Sequence, residues 1–211
     1  MALDLQEQEQ LDAVQAWWKA HGNKVVAGVL AFVLAVAAYR GWSWYEVRQR
    51  NEAARLYQVL EQAFTGGDTK KVRALAGEIM DKYARTPYAL DAALLAAKAN
   101  SQAGDRKSAK SQLEWVIAHA RDGASRDLAR LNLAALLLDD KEYDAALKTL
   151  DAPHDAAFEL LFQERRGDVL AAQGKHKEAA AAYRAALARL AQDSPARAIL
   201  EIKLDSLESR G

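Results

Sequence analysis

Histidine and carboxylate side chains are the groups in this sequence that could carry acid–base or metal chemistry, and their spacing argues against both. No HExxH, GxSxG, Walker A or dinucleotide-binding glycine pattern occurs, and the histidines are scattered at His21, His119, His154 and His176. The densest cluster is DAPHD (151–155), which we interpret as a solvated loop with Asp155 near a helix start. Cysteine is absent, which excludes thiol catalysis and thiolate metal sites. We therefore predict a protein that is not an enzyme and holds no cofactor or metal ion.

Two further stretches could suggest nucleic-acid or phosphate binding, but both have simpler interpretations. KHKEAAAAYRAALAR (175–189) carries basic residues and one tyrosine in a spacing typical of a solvated helix face. The GGD at 66–68 is a turn followed by a helix N-cap. Lys plus Arg and Asp plus Glu are equal at 29 each, so no net charge attracts a polyanion. We predict no nucleic-acid partner.

The elements that position these residues are predicted to be helices arranged in repeats. Only 11 glycines and 3 prolines occur in 211 residues, and alanine is abundant, which favours helices. Four turns align: GGDTKKV (66–72), AGDRKSA (103–109), DKEYDAA (140–146) and QGKHKEA (173–179). Their last residues, Val72, Ala109, Ala146 and Ala179, lie 37, 37 and 33 residues apart. This is close to the tetratricopeptide period of about 34 residues.

The residue types at these turns fit a stack of helix pairs. The turn glycine would end the first helix in a left-handed conformation, and the small residue five positions later would let the partner helix cross closely. Larger apolar residues follow one helical turn on, at Leu113, Leu150 and Tyr183, and small residues on the first helices are Ala134 and Gly167. The first pair departs, with Val72 and Ala76 at these positions. The third pair also departs, because Lys141 replaces the glycine and Pro153 cuts the second helix short.

A closing helix is predicted from DSPARAILEIKLDSLES (193–209). Ser194 is its expected N-cap and Pro195 its first residue. We expect Ile199, Ile202 and Leu207 to cover the exposed edge of the last pair.

The apolar stretch NKVVAGVLAFVLAVAAYRGWSWYEVRQR (23–50) is predicted to be a membrane anchor. Its uncharged core, 25–39, extends past Arg40, which can snorkel, into the aromatic residues Trp42, Trp44 and Tyr45, and Trp17 and Trp18 flank the other side. AVAAY near its end would suit a cleaved signal peptide, but the preceding region is long and acidic. A soluble core helix is disfavoured because the stretch is apolar on every face. The predicted segments are 1–23 (N-terminal tail), 24–45 (transmembrane anchor) and 46–211 (repeat domain).

The chain resembles the ancillary SecYEG translocon subunit family of Gram-negative inner-membrane proteins. The resemblance is carried by LDAVQAWWKAHGNKVVAGV, YARTPYALDAALLAAKA, ARLNLAALLLDDKEYDAALKTL, ERRGDVLAAQGKHKEAAAAYRAAL and SPARAILEIKLDSL, in the expected order along nearly the whole length. The predicted fold is therefore all-α: a single N-terminal transmembrane helix, a tetratricopeptide-like α-solenoid of about four helix pairs, and a closing C-terminal helix.

The resemblance implies a cytoplasmic N-terminal tail, one span through the bacterial inner membrane and a periplasmic repeat domain. Lys19 and Lys24 before the span, against Arg40, Arg48, Arg50 and Arg55 after it, lean towards a cytoplasmic repeat domain, although long domains translocate largely regardless of such charge. The implied partners are the SecYEG translocon and a membrane-anchored prolyl-isomerase-like chaperone, with unfolded secretory proteins as further candidates.

The function expected from these observations is a non-catalytic scaffold that holds a chaperone, and emerging secretory proteins, beside the translocon. The alternatives are a cytoplasm-facing adaptor or regulatory protein and a cell-envelope assembly factor that uses the same repeats. Stacked repeats commonly bind partners on the concave face formed by their first helices. The candidate partner-binding residues on that face are Asp91, Leu94, Lys98, Leu131, Glu164 and Asp168.

Overall fold

The computed structural model describes residues 2–208, with side chains for 9–207, and this part of the chain is all-α as predicted. A short 3-10 turn, Ala156–Phe158, lies directly before the helix that begins at Glu159. The helices are α1 (Ala2–Thr65), α2 (Thr69–Lys82), α3 (Pro87–Gln102), α4 (Arg106–His119), α5 (Gly123–Asp139), α6 (Tyr143–Leu150), α7 (Glu159–Ala172), α8 (His176–Leu187) and α9 (Pro195–Glu208).

Contacts divide the chain into an N-terminal unit that ends at Asn51 and a C-terminal unit that begins at Glu52. In the N-terminal unit the apolar side chains of α1 are exposed, with Phe32 and Leu34 about 70% accessible. Among the described residues, α1 is the one helix long and apolar enough to cross a membrane. The segment predicted as an anchor, 24–45, lies within it. A soluble core helix would bury these side chains, so the structure disfavours that alternative.

The C-terminal unit consists of stacked helix pairs joined by four equivalent turns. Gly67, Gly104 and Gly174 have φ values of 74°, 79° and 76°, and Lys141 takes the same left-handed conformation at 62°. At every turn the backbone closes in the same way. The residue with positive φ donates three positions back, as Gly67 N to Phe64 O at 3.0 Å, and the next residue donates five back, as Asp68 N to Ala63 O at 2.9 Å. The predicted register is confirmed, including the lysine that occupies a glycine position.

The residues predicted to lie at helix crossings are buried. Val72, Ala109, Ala146 and Ala179 have no accessible surface, and the residues four positions on are buried as well. The closest approach is between α7 and α8, where a Cβ on Gly167 would meet the ring of Tyr183, with Cζ at 3.0 Å and two ring carbons nearer. Glycine at 167 therefore allows the tyrosine to cross directly over the helix backbone.

Four core clusters of described residues run along the stack and share partly buried residues from one pair to the next. One joins the end of α1 to α2 and α3, the second joins α3 to α7, the third joins α7 and α8 to α9, and the fourth lies between α3, α4 and the start of α5. Each helix from α2 to α9 packs on its neighbours in sequence, and the first helices of successive pairs also touch, α3 on α5 and α5 on α7. This is the nearest-neighbour packing of a tetratricopeptide-like solenoid. The third pair is shortened as predicted, because α6 ends at Leu150, before Pro153.

The closing helix begins at Pro195 as predicted, but it packs through a different face. Ile199 and Ile202, which we expected to cover the last pair, are 58% and 69% exposed. The packed residues are Leu200, Leu204 and Leu207, whose spacing of four and three positions forms one helical stripe. Of the three residues predicted for this contact, only Leu207 belongs to that stripe. The predicted last residue, Ser209, lies outside the described residues.

Candidate functional site

A groove on the C-terminal unit brings together three of the six predicted site residues. Asp91, Leu94 and Lys98 line it from α3, facing Leu128 and Asn132 of α5 across a volume of about 630 Å³. We call this the α3 groove. The α3 residues lie three, four and seven positions apart and therefore share one helical face. The opposite face of α3 is buried in the core through alanines, including Ala89, Ala92 and Ala96.

The wall of the α3 groove is apolar and partly open to solvent. Leu94 and Leu95 are half-buried, and Leu128 is 43% exposed. Exposed single leucines are ordinary on protein surfaces. Here, however, they line one concavity together with the small side chains of Ala97 and Ala135. The volume lies within the range of about 300–1,000 Å³ typical of ligand pockets.

One end of the groove is acidic. Loss of hydration raises the pKa of the Asp91 carboxyl, and the nearby carboxylates of Glu61 and Asp122 raise it further. The Tyr57 hydroxyl beside it also has a raised pKa, because of burial and then because of Glu61 and Asp91. In both cases burial is the larger cause, and the neighbouring carboxylates add a negative potential that opposes a further negative charge. A positive charge would be stabilised at this end.

The other end carries Lys98, whose ammonium lies 5.5 Å from the centroid of the Phe64 ring. Asp139, on the α5 side, lies 3.7 Å from an arginine nitrogen of Arg106, which also approaches Asp140 at 3.0 Å. These charges already have partners, whereas none of the described cations is paired with Asp91. At the Lys98 end of the groove the charges therefore have partners, whereas at the other end the Asp91 carboxylate has no described cation paired with it.

Leu131 does not lie in the groove. It is only 7% exposed and belongs to the core cluster that joins α3 to α7, so it offers almost no surface to a partner. The residues of α5 that line the groove are Leu128, Asn132, Ala135, Leu136 and Asp139, which lie along one side of the helix. The predicted phase of this helix was shifted by one residue, because an apolar helix such as α5 has no polar stripe to mark its solvent side.

Glu164 and Asp168 are also away from the groove, and both are engaged within the fold. The Lys203 ammonium of α9 donates to Glu164 Oε1 and Asp168 Oδ1, each at 2.8 Å, and Tyr183 Oη of α8 donates to the same Asp168 oxygen at 2.9 Å. Burial by itself lowers the pKa of Lys203, but the carboxylates of Asp168 and Glu164 outweigh that effect, and the pKa is raised. Burial and then Asp168 raise the pKa of Tyr183. The two acidic residues thus fasten α9 and α8 to α7.

The loop that contains DAPHD is organised by a residue that sequence reasoning missed. Asp127 of α5 is buried, and it accepts from Arg130 Nη1 at 3.1 Å and from the backbone N–H of Asp155 at 2.9 Å. Arg130 also donates to the carbonyl of Pro153 at 2.7 Å. His154 stacks on Phe162 with ring centroids 3.8 Å apart, and its Nε2 lies 3.1 Å from Glu159. Nothing in the sequence marked Asp127, because the loop residue whose N–H it binds, Asp155, lies 28 residues away.

These contacts agree with the structural interpretation of DAPHD. Asp155 caps the short 3-10 turn by accepting from the backbone N–H of Ala157 at 2.9 Å. Within residues whose side chains are described, no group of three or more His, Asp or Glu residues is placed to hold a metal ion. The α3 groove is therefore the surface that we take as the candidate binding site.

Comparison with known proteins finds a matching family model and relatives over most of this chain. The family model for tetratricopeptide repeat-like domains matches residues 15–209. An ancillary SecYEG translocon subunit of Neisseria gonorrhoeae is 36% identical over 99% of this chain and 100% of its own length. Proteins of the same name from Escherichia coli and Haemophilus influenzae are 26% and 24% identical, over 85% and 82% of this chain and 86% and 85% of their own lengths.

Proposed function

This chain belongs to the family of ancillary SecYEG translocon subunits, and we propose from this premise that it is a membrane-anchored, non-catalytic scaffold at the SecYEG translocon. The observation that carries the proposal is the likeness to the Neisseria protein over the full length of both chains. A match of that extent includes the apolar part of α1 as well as the repeats. It therefore favours the same overall role rather than a shared repeat alone.

The anchor of this scaffold is the apolar part of α1. Its large side chains are exposed in the N-terminal unit, which is costly in water and favourable in a bilayer. Trp17 and Trp18 on one side, and Trp42 and Trp44 on the other, suit the two interfaces of a membrane. In the topology that we propose, the N-terminal tail is cytoplasmic and the repeat domain is periplasmic, as in the family resemblance. The membrane is the bacterial inner membrane.

The repeats bind protein partners and carry out no chemistry. The proposed partners are a membrane-anchored prolyl-isomerase-like chaperone and emerging secretory proteins, held close to the channel. The α3 groove supports this role, because it is an open concavity with apolar walls and charged ends. A single anchor helix would keep such a surface at the membrane where secretory proteins emerge.

Affinity capture after in-cell crosslinking tests the proposal. Full-length protein with an affinity tag is crosslinked in living cells, purified in detergent, and its partners are identified by mass spectrometry. We expect subunits of the SecYEG channel and a membrane-anchored chaperone of the prolyl-isomerase type. Recovery of cytoplasmic regulators without channel subunits would favour the cytoplasm-facing adaptor, to which the arginines after the span point. Recovery of other envelope-assembly proteins alone would favour the third alternative.

A further inference from the structure

We propose that the α3 groove binds a short segment of a partner protein in which a lysine or arginine stands beside a leucine-sized apolar residue. The cation lies against Asp91, and the apolar side chain lies between Leu94 and Leu128. This inference rests on the proposed function, in which the repeats bind protein partners. It specifies the charge and the apolar side chain of the partner segment that the groove binds.

The apolar part of the inference follows from the shape of the groove. A volume of about 630 Å³ has room for a few side chains, but it is small for a whole helix. Leu128 is 43% exposed and Leu94 is half-buried. Covering both removes apolar surface from water, which is the main favourable term in protein association. The matching partner surface is therefore a projecting apolar side chain.

The preference for a basic residue follows from the surroundings of Asp91. Among the described residues, Asp91 has neither an ion pair nor a hydrogen bond, while its nearby charges, Glu61 and Asp122, are both acidic. Asp139 on the other wall has Arg106 at 3.7 Å. A cation in the partner would supply what Asp91 lacks, and complementary charge is what gives such interfaces their specificity.

The fold contains an example of the same recognition in its own last helices. Lys203 of α9 lies between Glu164 and Asp168 of α7, with both contacts at 2.8 Å, and its ammonium is 5.7 Å from the Tyr183 ring centroid. In this case a lysine from another helix of the same chain binds acidic residues beside an aromatic ring. The α3 groove has an acidic residue, Asp91, and a tyrosine, Tyr57, but none of the described lysines is paired with Asp91.

The groove also has a direction. Lys98 lies seven residues after Asp91 on the same face of α3, which is about 10 Å along the helix axis. A bound segment that placed its cation at Asp91 would avoid a second cation near Lys98. The inferred ligand is therefore a short, oriented stretch with one basic residue.

Fluorescence anisotropy with full-length protein in lipid nanodiscs tests this inference. The probe is a labelled decapeptide with one Arg–Leu pair in an alanine–serine background, and the control peptides replace the arginine with glutamate or the leucine with alanine. We expect the Arg–Leu peptide to bind and each control to bind about tenfold more weakly, the effect of one lost charge-assisted or apolar contact. In Asp91→Arg the preference should reverse, so that the Glu–Leu peptide binds more tightly.

Matched variants separate the groove from the rest of the surface. Leu128→Ala should weaken binding about tenfold, whereas Leu161→Ala, at a leucine of equal exposure on α7, should leave binding unchanged. Asp91→Asn should weaken binding, and Asp193→Asn should not. Equal binding of the Arg–Leu and Glu–Leu peptides, or equal effects of the two leucine variants, would overturn the inference.

The peptide-binding experiment and the in-cell capture together distinguish this inference from the proposed function. If channel subunits are captured from cells and no peptide binds the purified protein, the groove chemistry is wrong and the scaffold role stands. If peptides bind as expected and no channel subunit is captured, the groove chemistry is right and the proposed location is wrong.

Discussion

Gly167 is the position at which a single missing side chain determines how two helices pack. The Tyr183 ring occupies the space where a Cβ would stand, and its hydroxyl donates to Asp168 on the same helix as Gly167. The ring is therefore held from two directions and has little freedom to move aside. Protein interiors are close-packed, so adding a single carbon atom at such a crossing changes the stability of the fold.

Replacing this glycine by alanine should destabilise the repeat domain. We expect Gly167→Ala to cost about 1–3 kcal/mol, because the new methyl group overpacks the crossing of α7 and α8. Thermal unfolding of the full-length protein in detergent, followed by circular dichroism, measures the change. Gly77→Ala is the matched control, since Gly77 is exposed within α2 with no atom near its Cβ position. It should stabilise by up to about 1 kcal/mol through helix propensity. Equal effects at the two glycines would contradict the predicted close approach.

Acid should weaken the start of α5 through Asp122. Hydrogen bonds from the backbone and side chain of Ser125 lower the pKa of this carboxyl, the backbone bond measuring 2.7 Å. A carboxyl with a lower pKa in the folded state stabilises above its unfolded pKa of about 3.9 and loses that contribution as pH falls through the folded pKa. Asp122→Asn keeps a good N-cap and should therefore show a smaller loss of unfolding temperature between pH 6 and acid conditions. Asp193→Asn should keep the wild-type profile; if it flattens the profile equally, the effect is not specific to the cap.

The closing helix depends on one lysine that connects it to the preceding pair. Lys203→Met keeps the apolar stem and removes the charge, which leaves Glu164 without its cation. Asp168 then keeps the longer ionic contact with Arg165 Nη1, at 3.5 Å. We expect a loss of about 1–3 kcal/mol and faster hydrogen exchange in α9 and the end of α8, measured by mass spectrometry. Lys177→Met, at an exposed lysine of α8, should leave exchange unchanged. Unaltered exchange in α9 of the Lys203 variant would mean that the leucine stripe alone holds this helix.

The turns were predictable from sequence because their signals are local. A left-handed residue ends each first helix, and the residue five positions later lies at the crossing and is alanine in three of the four pairs, so both signals recur at the repeat period. Lys141 shows that the period was more informative than residue type, since it takes the glycine conformation at φ 62°. The four pairs and the end of α6 follow from these signals.

What failed was the rotational phase of helices that are apolar on more than one side. Ile199 and Ile202 were expected to be packed and Leu131 to be accessible, and the structure reverses both. When a helix has two apolar stripes, hydrophobicity does not indicate which of them is buried. The packing of neighbouring helices determines which stripe is buried. The pairing of Glu164 and Asp168 with Lys203 was invisible for a related reason, because it joins residues 39 and 35 positions apart.

At the scale of the whole molecule, the first prediction is an uncleaved anchor. We expect the full-length protein to stay in the membrane fraction after alkaline carbonate and high-salt washing, because only a bilayer covers the exposed apolar side chains of α1. Mass spectrometry of the purified protein should find the N-terminal residues present. A mature chain that begins near Ala38 would instead identify a cleaved signal peptide.

The orientation of the anchor is a separate prediction. Protease added to spheroplasts should degrade the repeat domain and spare the N-terminal tail, as detected with tags at the two ends. The same protease should reach both ends once the membrane is dissolved. Complete protection of residues 46–211 in sealed spheroplasts would place the repeats in the cytoplasm.

The succession of equivalent turns also bears on how the repeat domain reaches its folded state. Helices α2 to α9 find their packing partners among neighbours in sequence, so each loop to be closed is short and its entropic cost is small. Topologies built from such local contacts fold quickly. A chain that emerges gradually would already contain, after two pairs, the contacts that those two pairs require. The repeats can therefore fold in order of synthesis, and α9, with its lysine between Glu164 and Asp168, completes the stack last.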